Sequence, residues 1–395
     1  MALPGLVVAA STGLALYTYV GYPAILKALR VMRPTPRMAS PGDWPRISIM
    51  VPVYNEAAVI AGTLERILAA EYPADRRQIL VVSDASTDAT HEIVSRFAGR
   101  GVELLRLPQR RGKTAAENAA RRHLTGAIVI TTDASVRVHP DAIKHLVAAL
   151  TDPSVGVASG RDVSVANVDS PANAGEQTYV GYEMWVRDLE TAVDGIVGAS
   201  GCLYAIRAHL HMHDVPEALS RDFASALTAR AHGFRAVSVP AALCYVPRGA
   251  SLQQEYGRKV RTITRGIGTL LYKRALLNPF RTGLFAWMLF SHKVCRWLLP
   301  WALVLFGGAL GVLALTATWA RVLLTAAGAT LVLAGVGWVW AGRVGRGRMP
   351  RLIALPAFVV AGNVAVLHAW LRVMAGRLAP VWEPTRRGGG AVPVR

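Results

Sequence analysis

At 395 residues, with 52% hydrophobic and only 17% charged residues, the chain carries more apolar sequence than one water-soluble core needs, which excludes disorder, a collagen repeat and a disulfide scaffold. Its net charge of +19 is unevenly spread: from Arg281 onward thirteen Lys and Arg face one acid, Glu383, whereas Ala28 to Phe280 holds thirty bases and twenty-four acids. A basic excess beside the greasiest segments is typical of membrane-helix flanks, whereas a nucleic-acid binder concentrates its charge on its folded domain, so no nucleic acid is expected as a partner.

Leu6 to Leu26 is an uncharged apolar run of bilayer-spanning length. Lys27, Arg30, Arg33 and Arg37 follow it and place its C-terminal end in the cytoplasm. No basic residue precedes the run, so residues 1–30 read as a membrane anchor rather than a cleaved signal peptide. Pro34, Pro36, Pro41 and Pro45 make residues 31–45 a stiff linker, and a soluble domain starts near Arg46.

Ile47 to Val53 reads as a buried strand ending in Pro52-Val53-Tyr54-Asn55-Glu56, and the next helix presents Ile60, Leu64, Ile67 and Leu68 on one face. Ile79 to Val82 is a second strand, stopped by Ser83-Asp84-Ala85-Ser86-Thr87-Asp88; Val102 to Leu105 is a third. Thr114 to Leu124 reads as a helix, and Ala127 to Thr132 as a strand running straight into Asp133. This alternation predicts an α/β domain over 46–280 on a doubly wound, mostly parallel sheet, in which polar residues past the strand ends line the ligand crevice.

Beyond Phe280, the aromatic stretch Thr282 to His292, flanked by Arg281 and Lys293, suits an interfacial helix over 281–296. Trp297 to Thr318, Val322 to Trp340 and Leu352 to Leu371 predict about three spans within 297–376. Arg343, Arg346, Arg348 and Arg351 mark the loop before the last run as cytoplasmic. The same count puts the basic tail 377–395, with Arg377, Arg386 and Arg387, outside, against the positive-inside tendency; either one run does not span or the tail is an exception. Asn363 and His368 in the last run suggest a helix contact before an acceptor path.

The scattered Cys202, Cys244 and Cys295 suggest neither a disulfide framework nor a zinc site, and His211 and His213 read as surface residues. Carboxylates at three strand ends, Glu56, Asp84 and Asp133, can converge on one ligand. Strand-end acids also cap turns, the reading favoured for Asp88, but no acid is needed for folding after the apolar strand that ends at Asp133. Tyr54-Asn55-Glu56 holds no glycine for a dinucleotide fingerprint. Gly112-Lys113-Thr114 has Leu107 where a phosphate loop needs its first glycine.

Taken in order, Pro52 to Glu56, Ser83 to Asp88, Arg111-Gly112-Lys113 with Asn118, and Thr132-Asp133-Ala134-Ser135 resemble the signature of family 2 glycosyltransferases. The membrane-bound branch, which includes cellulose, chitin, hyaluronan and poly-N-acetylglucosamine synthases, is similar further on. The matching segments there are Gly198-Ala199-Ser200-Gly201, Arg221-Asp222-Phe223 with Leu227 and Arg230, Ser291-His292-Lys293 with Arg296-Trp297, and Trp382 to Arg386.

The resemblance implies a GT-A fold, Rossmann-like, and inverting transfer from a nucleotide sugar, with UDP as its nucleotide. Matched residue by residue, it implies that Pro52, Tyr54, Glu56 and Asp84 hold the nucleoside, that Lys113 approaches the nucleotide and that Asp133 leads a D-x-D element binding Mg²⁺ or Mn²⁺. It also implies that Asp222 is the base on the acceptor side, near Gly201. Three departures stand out: Ser135 replaces the second D-x-D carboxylate, Arg221 replaces a Glu, and Arg258-Lys259-Val260-Arg261-Thr262 lacks the Gln and Trp of the Q-x-x-R-W element. That Trp stacks the polymer in the synthases, so its loss points to a membrane-held or lipid-linked acceptor rather than chain extrusion. Arg258, Arg261 and Arg265 then contact either the diphosphate or anionic lipid.

The expectation is a multi-pass enzyme of the plasma (inner) membrane with a cytoplasmic catalytic domain, adding sugar to an envelope glycan or exopolysaccharide or its precursor. The alternative is a catalytically silent partner that binds nucleotide sugar or glycan. A transporter is disfavoured by the long folded middle domain.

Overall fold

The structure, a computed structural model, describes residues 2–32, 42–165, 171–247, 252–343 and 349–378, without the side chains of 171–177, 342–343 and 351. The prolines 34, 36 and 41, Arg346, Arg348 and the Trp382 to Arg386 segment lie outside the described residues.

Strands β1 (Ile47–Val53), β2 (Arg77–Ser83), β3 (Val102–Arg106) and β4 (Ile128–Thr132) form where branched apolar residues run together. All four are parallel in the order β3-β2-β1-β4. Their side chains alternate between two covers. Ile49, Val51, Ile79, Val81 and Ile130 enter one core with Leu64, Ile143 and Leu146, while Met50, Leu80 and Val82 meet Ala116 and Ala120 on the other face.

Beyond β4 the sheet continues through β7 (Leu203–Arg207), β6 (Val155–Val165), β8 (Arg235–Pro247) and the short β5 (Arg137–Val138), with β7 antiparallel to both neighbours. This remainder keeps one parallel pairing, β6 with β8, and adds antiparallel ones. The sheet is therefore mixed. Antiparallel β7 brings its N-terminal end beside the C-terminal end of β4, so that Leu203 opposes Thr132 and the chain preceding β7 lies against Asp133.

Among the described residues, four helices are long and apolar enough to cross a membrane: Ala2–Val31, Leu284–Ala314, Thr318–Ala341 and Leu352–Met374. The expected interfacial segment is instead continuous with the second of these, through a π-helical turn at Phe290–Cys295. The reason is packing: Phe285, Met288 and Leu289 are buried against Tyr22 and Leu26 of the first span and Val186 and Leu189 of the Pro171–Val193 helix. A polar network threads the same contact. Tyr22 donates to Glu190 at 2.5 Å, His292 bridges Glu190 and Glu183 at 2.6 and 3.0 Å, and Arg296 pairs with Glu183 at 2.5 Å.

The Leu252–Tyr272 helix lies along the fourth span, with Leu252 against Ala357 and Ala361 and the Lys259 ammonium 3.8 Å from the Phe358 ring centroid. His368 meets the Tyr256 hydroxyl at 3.0 Å, a helix contact as expected, while Asn363 donates within its own helix to Val359. The three cysteines form no disulfide with one another.

Candidate active site

The loops after β1 and β2 interlock. Asn55 and Ala85 both have positive φ, 52° and 56°, a rare state for residues other than glycine that strand-end loops adopt when their neighbours fix it. The neighbours here are polar: Asn55 N–H donates to Ser86 Oγ at 3.1 Å and Thr87 N–H to Asn55 Oδ1 at 2.8 Å. Asp88 accepts from the N–H of Thr90 at 3.0 Å and of Ala57 at 3.1 Å, the turn-capping role expected of it.

Asp84, 2% exposed, accepts from the backbone N–H of Arg111 at 2.8 Å and of Gly112 at 2.7 Å. The carboxylate thereby fixes the loop that launches the Lys113–Ala120 helix, where Gly112 takes φ 100°, open to glycine. Tyr54 stacks under the Arg110 guanidinium, 3.8 Å from its ring centroid.

Lys113, Asp133, Ser135, Gly201, Asp222, Arg258 and Arg261 line one cavity of about 400 Å³. Pro52, buried in β1, and Tyr54, Glu56 and Asp84 are not part of its wall; Asp84 adjoins it through the loop it binds ahead of Lys113. Lys113 Nζ donates to Asp133 Oδ1 at 2.5 Å and to the Gly201 carbonyl at 3.1 Å. Burial opposes the Lys113 charge, but the carboxylates of Asp133, Glu117 and Asp222 outweigh it and hold the ammonium above its ordinary value.

Gly198-Ala199-Ser200-Gly201 is a close-approach loop. A methyl on Gly201 would stand 2.6 Å from Asp222 Oδ2, and one on Gly198 would stand 3.0 Å from Phe223 Cδ2. The absence of both Cβ atoms lets the Arg221–Ala231 helix present its first carboxylate directly over the loop. Ser200 ties the loop down, donating to Asp162 at 2.7 and 2.9 Å.

The loop ahead of Asp222 is clamped as well. Thr114 donates to Leu219 O at 2.9 Å, Arg265 to Thr114 Oγ1 at 2.6 Å, and Ser220 N–H to Thr269 Oγ1 at 3.0 Å. Ser220 Oγ donates to Asp222 Oδ1. Arg258 pairs with Glu255 at 2.5 Å while lining the cavity together with Arg261 and Arg265.

Glu117, Asp162, Arg187 and Lys293 were not singled out as site residues by sequence, yet all line the cavity. Glu117 is 1% exposed, and burial raises its carboxyl above the ordinary value. Its spacing four residues after Lys113 on one helix was the available signal. His211, expected at the surface, is 1% exposed beneath Arg221, which donates to its carbonyl.

For a divalent cation, Asp133 supplies one carboxylate and Ser135 a hydroxyl at the same wall. Among the described residues no group of three or more metal-type ligands occurs. That donor set fits a hard cation of the Mg²⁺ type, which takes one or two carboxylates and completes its shell with substrate phosphates and water.

Residues 48–201 match the Glycosyl transferase family 2 description. A beta-monoglucosyldiacylglycerol synthase of Synechocystis sp. is 31% identical over 154 residues, 36% of this chain and 32% of the relative. An N-acetylglucosaminyltransferase of Rhizobium sp. is 32% identical over 122 residues, 30% of this chain and 27% of the relative. The chain thus spans about a third of the length of these curated relatives. The mannosyltransferase PcManGT from Pyrobaculum calidifontis, solved with GDP-Man and Mn²⁺, is similar over 92% of this chain and 99% of its own, with 26% identity and a TM-score of 0.71. The chain carries a glycosyltransferase family 2 domain with the GT-A fold, joined among the described residues to four helices long and apolar enough to cross a membrane.

Proposed function

We propose that this protein is an inverting, membrane-embedded glycosyltransferase that moves a sugar from a nucleotide sugar to an acceptor held in the membrane. The observation that carries the reading is the single cavity joining the Lys113–Asp133 pair, the Asp222 carboxylate and the second span's Lys293 and Trp297. Donor-type and acceptor-type groups share that space, and one wall is a helix of membrane-spanning length.

In this reading Asp222 takes the acceptor hydroxyl's proton as its oxygen attacks the anomeric carbon, and the bond from that carbon to the diphosphate breaks. Ser220 holds Asp222 in place. Lys113 meets the negative charge gathering on the leaving diphosphate, with Arg258 and Arg261 on the facing helix. Asp133 and Ser135 would hold a divalent cation, Mg²⁺ or Mn²⁺, which supplies further charge neutralisation to the departing nucleotide when bound. Tyr54, Glu56 and Asp84, with Pro52 behind them, would frame the nucleoside on the neighbouring loops.

The domain faces the cytoplasm of the plasma (inner) membrane in this reading, and the product belongs to an envelope glycan or exopolysaccharide or its precursor. The Lys and Arg after the first span support that orientation. UDP follows from the motif resemblance, and GDP-Man in PcManGT adds guanosine donors to the set to be tested. The test is donor turnover by the detergent-purified protein across UDP- and GDP-sugars with Mn²⁺ or Mg²⁺. One donor turned over, and lost on Asp133→Ala, is the expected result; nucleotide binding without turnover of any donor would instead select a silent binding partner.

A further inference from the structure

The cavity carries seven basic side chains against four acidic ones. A nucleotide sugar's diphosphate and its divalent counter-ion nearly cancel, so the donor does not remove this surplus. Two of the cations stand on helices that pack against the first apolar helix. Lys293 belongs to the second span, and among the described residues its ammonium makes no hydrogen bond or ion pair; it lies 5.5 Å from the Phe223 ring centroid, next in sequence to Asp222. Arg187 reaches in from the Pro171–Val193 helix with its side chain 11% exposed. Its Nε pairs loosely with Glu183 at 3.5 Å, and its Nη1 is buried with no hydrogen-bond partner.

Glu183 and Glu190 act on Lys293 only at a distance and neither is hydrogen-bonded to it, while Arg187 has only the loose Glu183 contact. Glu183 is engaged by Arg296 at 2.5 Å and His292 at 3.0 Å, and Glu190 by His292 and Tyr22. Two cations that line the cavity without a hydrogen-bonded acid, one of them with a buried and unpartnered Nη1, call for an anion brought by a ligand. The wall beyond them is apolar: Trp297 lines the cavity, and Leu298 and Trp301 continue on the same helix with more than a third of their surface exposed.

We propose that Lys293 and Arg187 bind a phosphate group of the acceptor, so that the acceptor is a lipid bearing a phosphate or diphosphate ester beside the hydroxyl to be glycosylated. The inference rests on the transferase reading and names its acceptor class. The hydrocarbon chain would lie along the second span at Leu298 and Trp301, and the ester would sit between Lys293 and Arg187. The hydroxyl would then reach Asp222, which takes its proton. The new glycosidic bond forms as the donor's anomeric carbon–oxygen bond breaks, and the nucleoside diphosphate leaves with that electron pair.

The experiment compares three acceptors with the full-length protein in nanodiscs and a donor it turns over: a long-chain alkyl diphosphate-linked monosaccharide, the alkyl glycoside without the diphosphate, and the glycosyl phosphate without the alkyl chain. Transfer to the first is expected to exceed transfer to either of the others by about tenfold or more, the scale of a charge-assisted hydrogen bond. Lys293→Met and Arg187→Gln should erase the preference for the diphosphate, chiefly through the acceptor KM, and Lys293→Arg should retain it. Equal use of the first two acceptors, or a preference that survives Lys293→Met, overturns the phosphate site and leaves the transferase reading standing. Equal use of the first and third overturns the lipid assignment. Failure to turn over any donor, read by nucleotide release without acceptor, overturns the reading beneath.

Discussion

Gly201→Ala separates the placement of the base from the integrity of the fold. Its methyl would stand 2.6 Å from Asp222 Oδ2, where ordinary contact begins near 3.4 Å, so the carboxylate must retreat by about 0.8 Å, the difference between the two. Asp222 cannot swing aside freely, because its other oxygen holds the Ser220 hydroxyl. A reacting group misplaced by ~1 Å costs on the order of 10²-fold, within the ~10²–10⁴-fold that a general base contributes. We expect kcat and kcat/KM to fall together by about 10²-fold, as for an interaction made only in the transition state. Gly198→Ala meets a ring carbon at 3.0 Å and leaves the carboxylate untouched, so it should cost much less. The assay is steady-state transfer by both variants beside their thermal unfolding curves. A Gly201→Ala protein with the parent's kcat would refute the close-approach reasoning.

Three further outcomes follow from buried charge and the cation. Burial first, then Arg221 and Arg121, hold His211 well below its ordinary value of 6.5, so only the unfolded chain takes up that proton; the stability is complete above pH 6.5 and lost as pH falls. His211→Leu should flatten the fall in unfolding midpoint between about pH 7.5 and about pH 5, and parallel curves for the two proteins would contradict this. Glu183→Ala strands Arg296 and His292 and is expected to cost about 3–5 kcal/mol. Asp214→Ala, removing an acid 75% exposed beside Arg121, should cost less than about 1 kcal/mol, and equal midpoints in detergent would be the failing result. Removing divalent cations with a chelator should stop turnover, with Mn²⁺ or Mg²⁺ restoring it; an undiminished rate in excess chelator would remove the cation from the account.

The part of the cavity around Lys113 and Asp133 is legible because it is local. Asp133 follows an apolar strand with no folding need for an acid, and Lys113 sits at a helix start behind a glycine. The rest of the cavity wall is assembled by long-range pairing that periodicity does not reveal. Asp162 lies within β6 and reaches the cavity where the register with β8 shifts between Ser159 and Arg161. Lys293 read as the flank of an interfacial segment, because nothing in its neighbourhood announces that Tyr22, Glu183 and Glu190 bury this turn and carry it into a longer helix. His211 looked like a surface residue in a polar turn until Arg221 folded over it. The mixed sheet has the same origin: strand direction is decided by which partners β7 finds, here β4 and β6, and its own residues do not encode it.

The central claim is that transfer occurs in this cavity with Asp222 as the base. Asp222→Asn tests it most directly when nucleotide binding and sugar transfer are measured on the same preparation. Binding should be preserved while transfer drops by ~10²–10⁴-fold. Transfer at the parent's rate by Asp222→Asn would contradict the account.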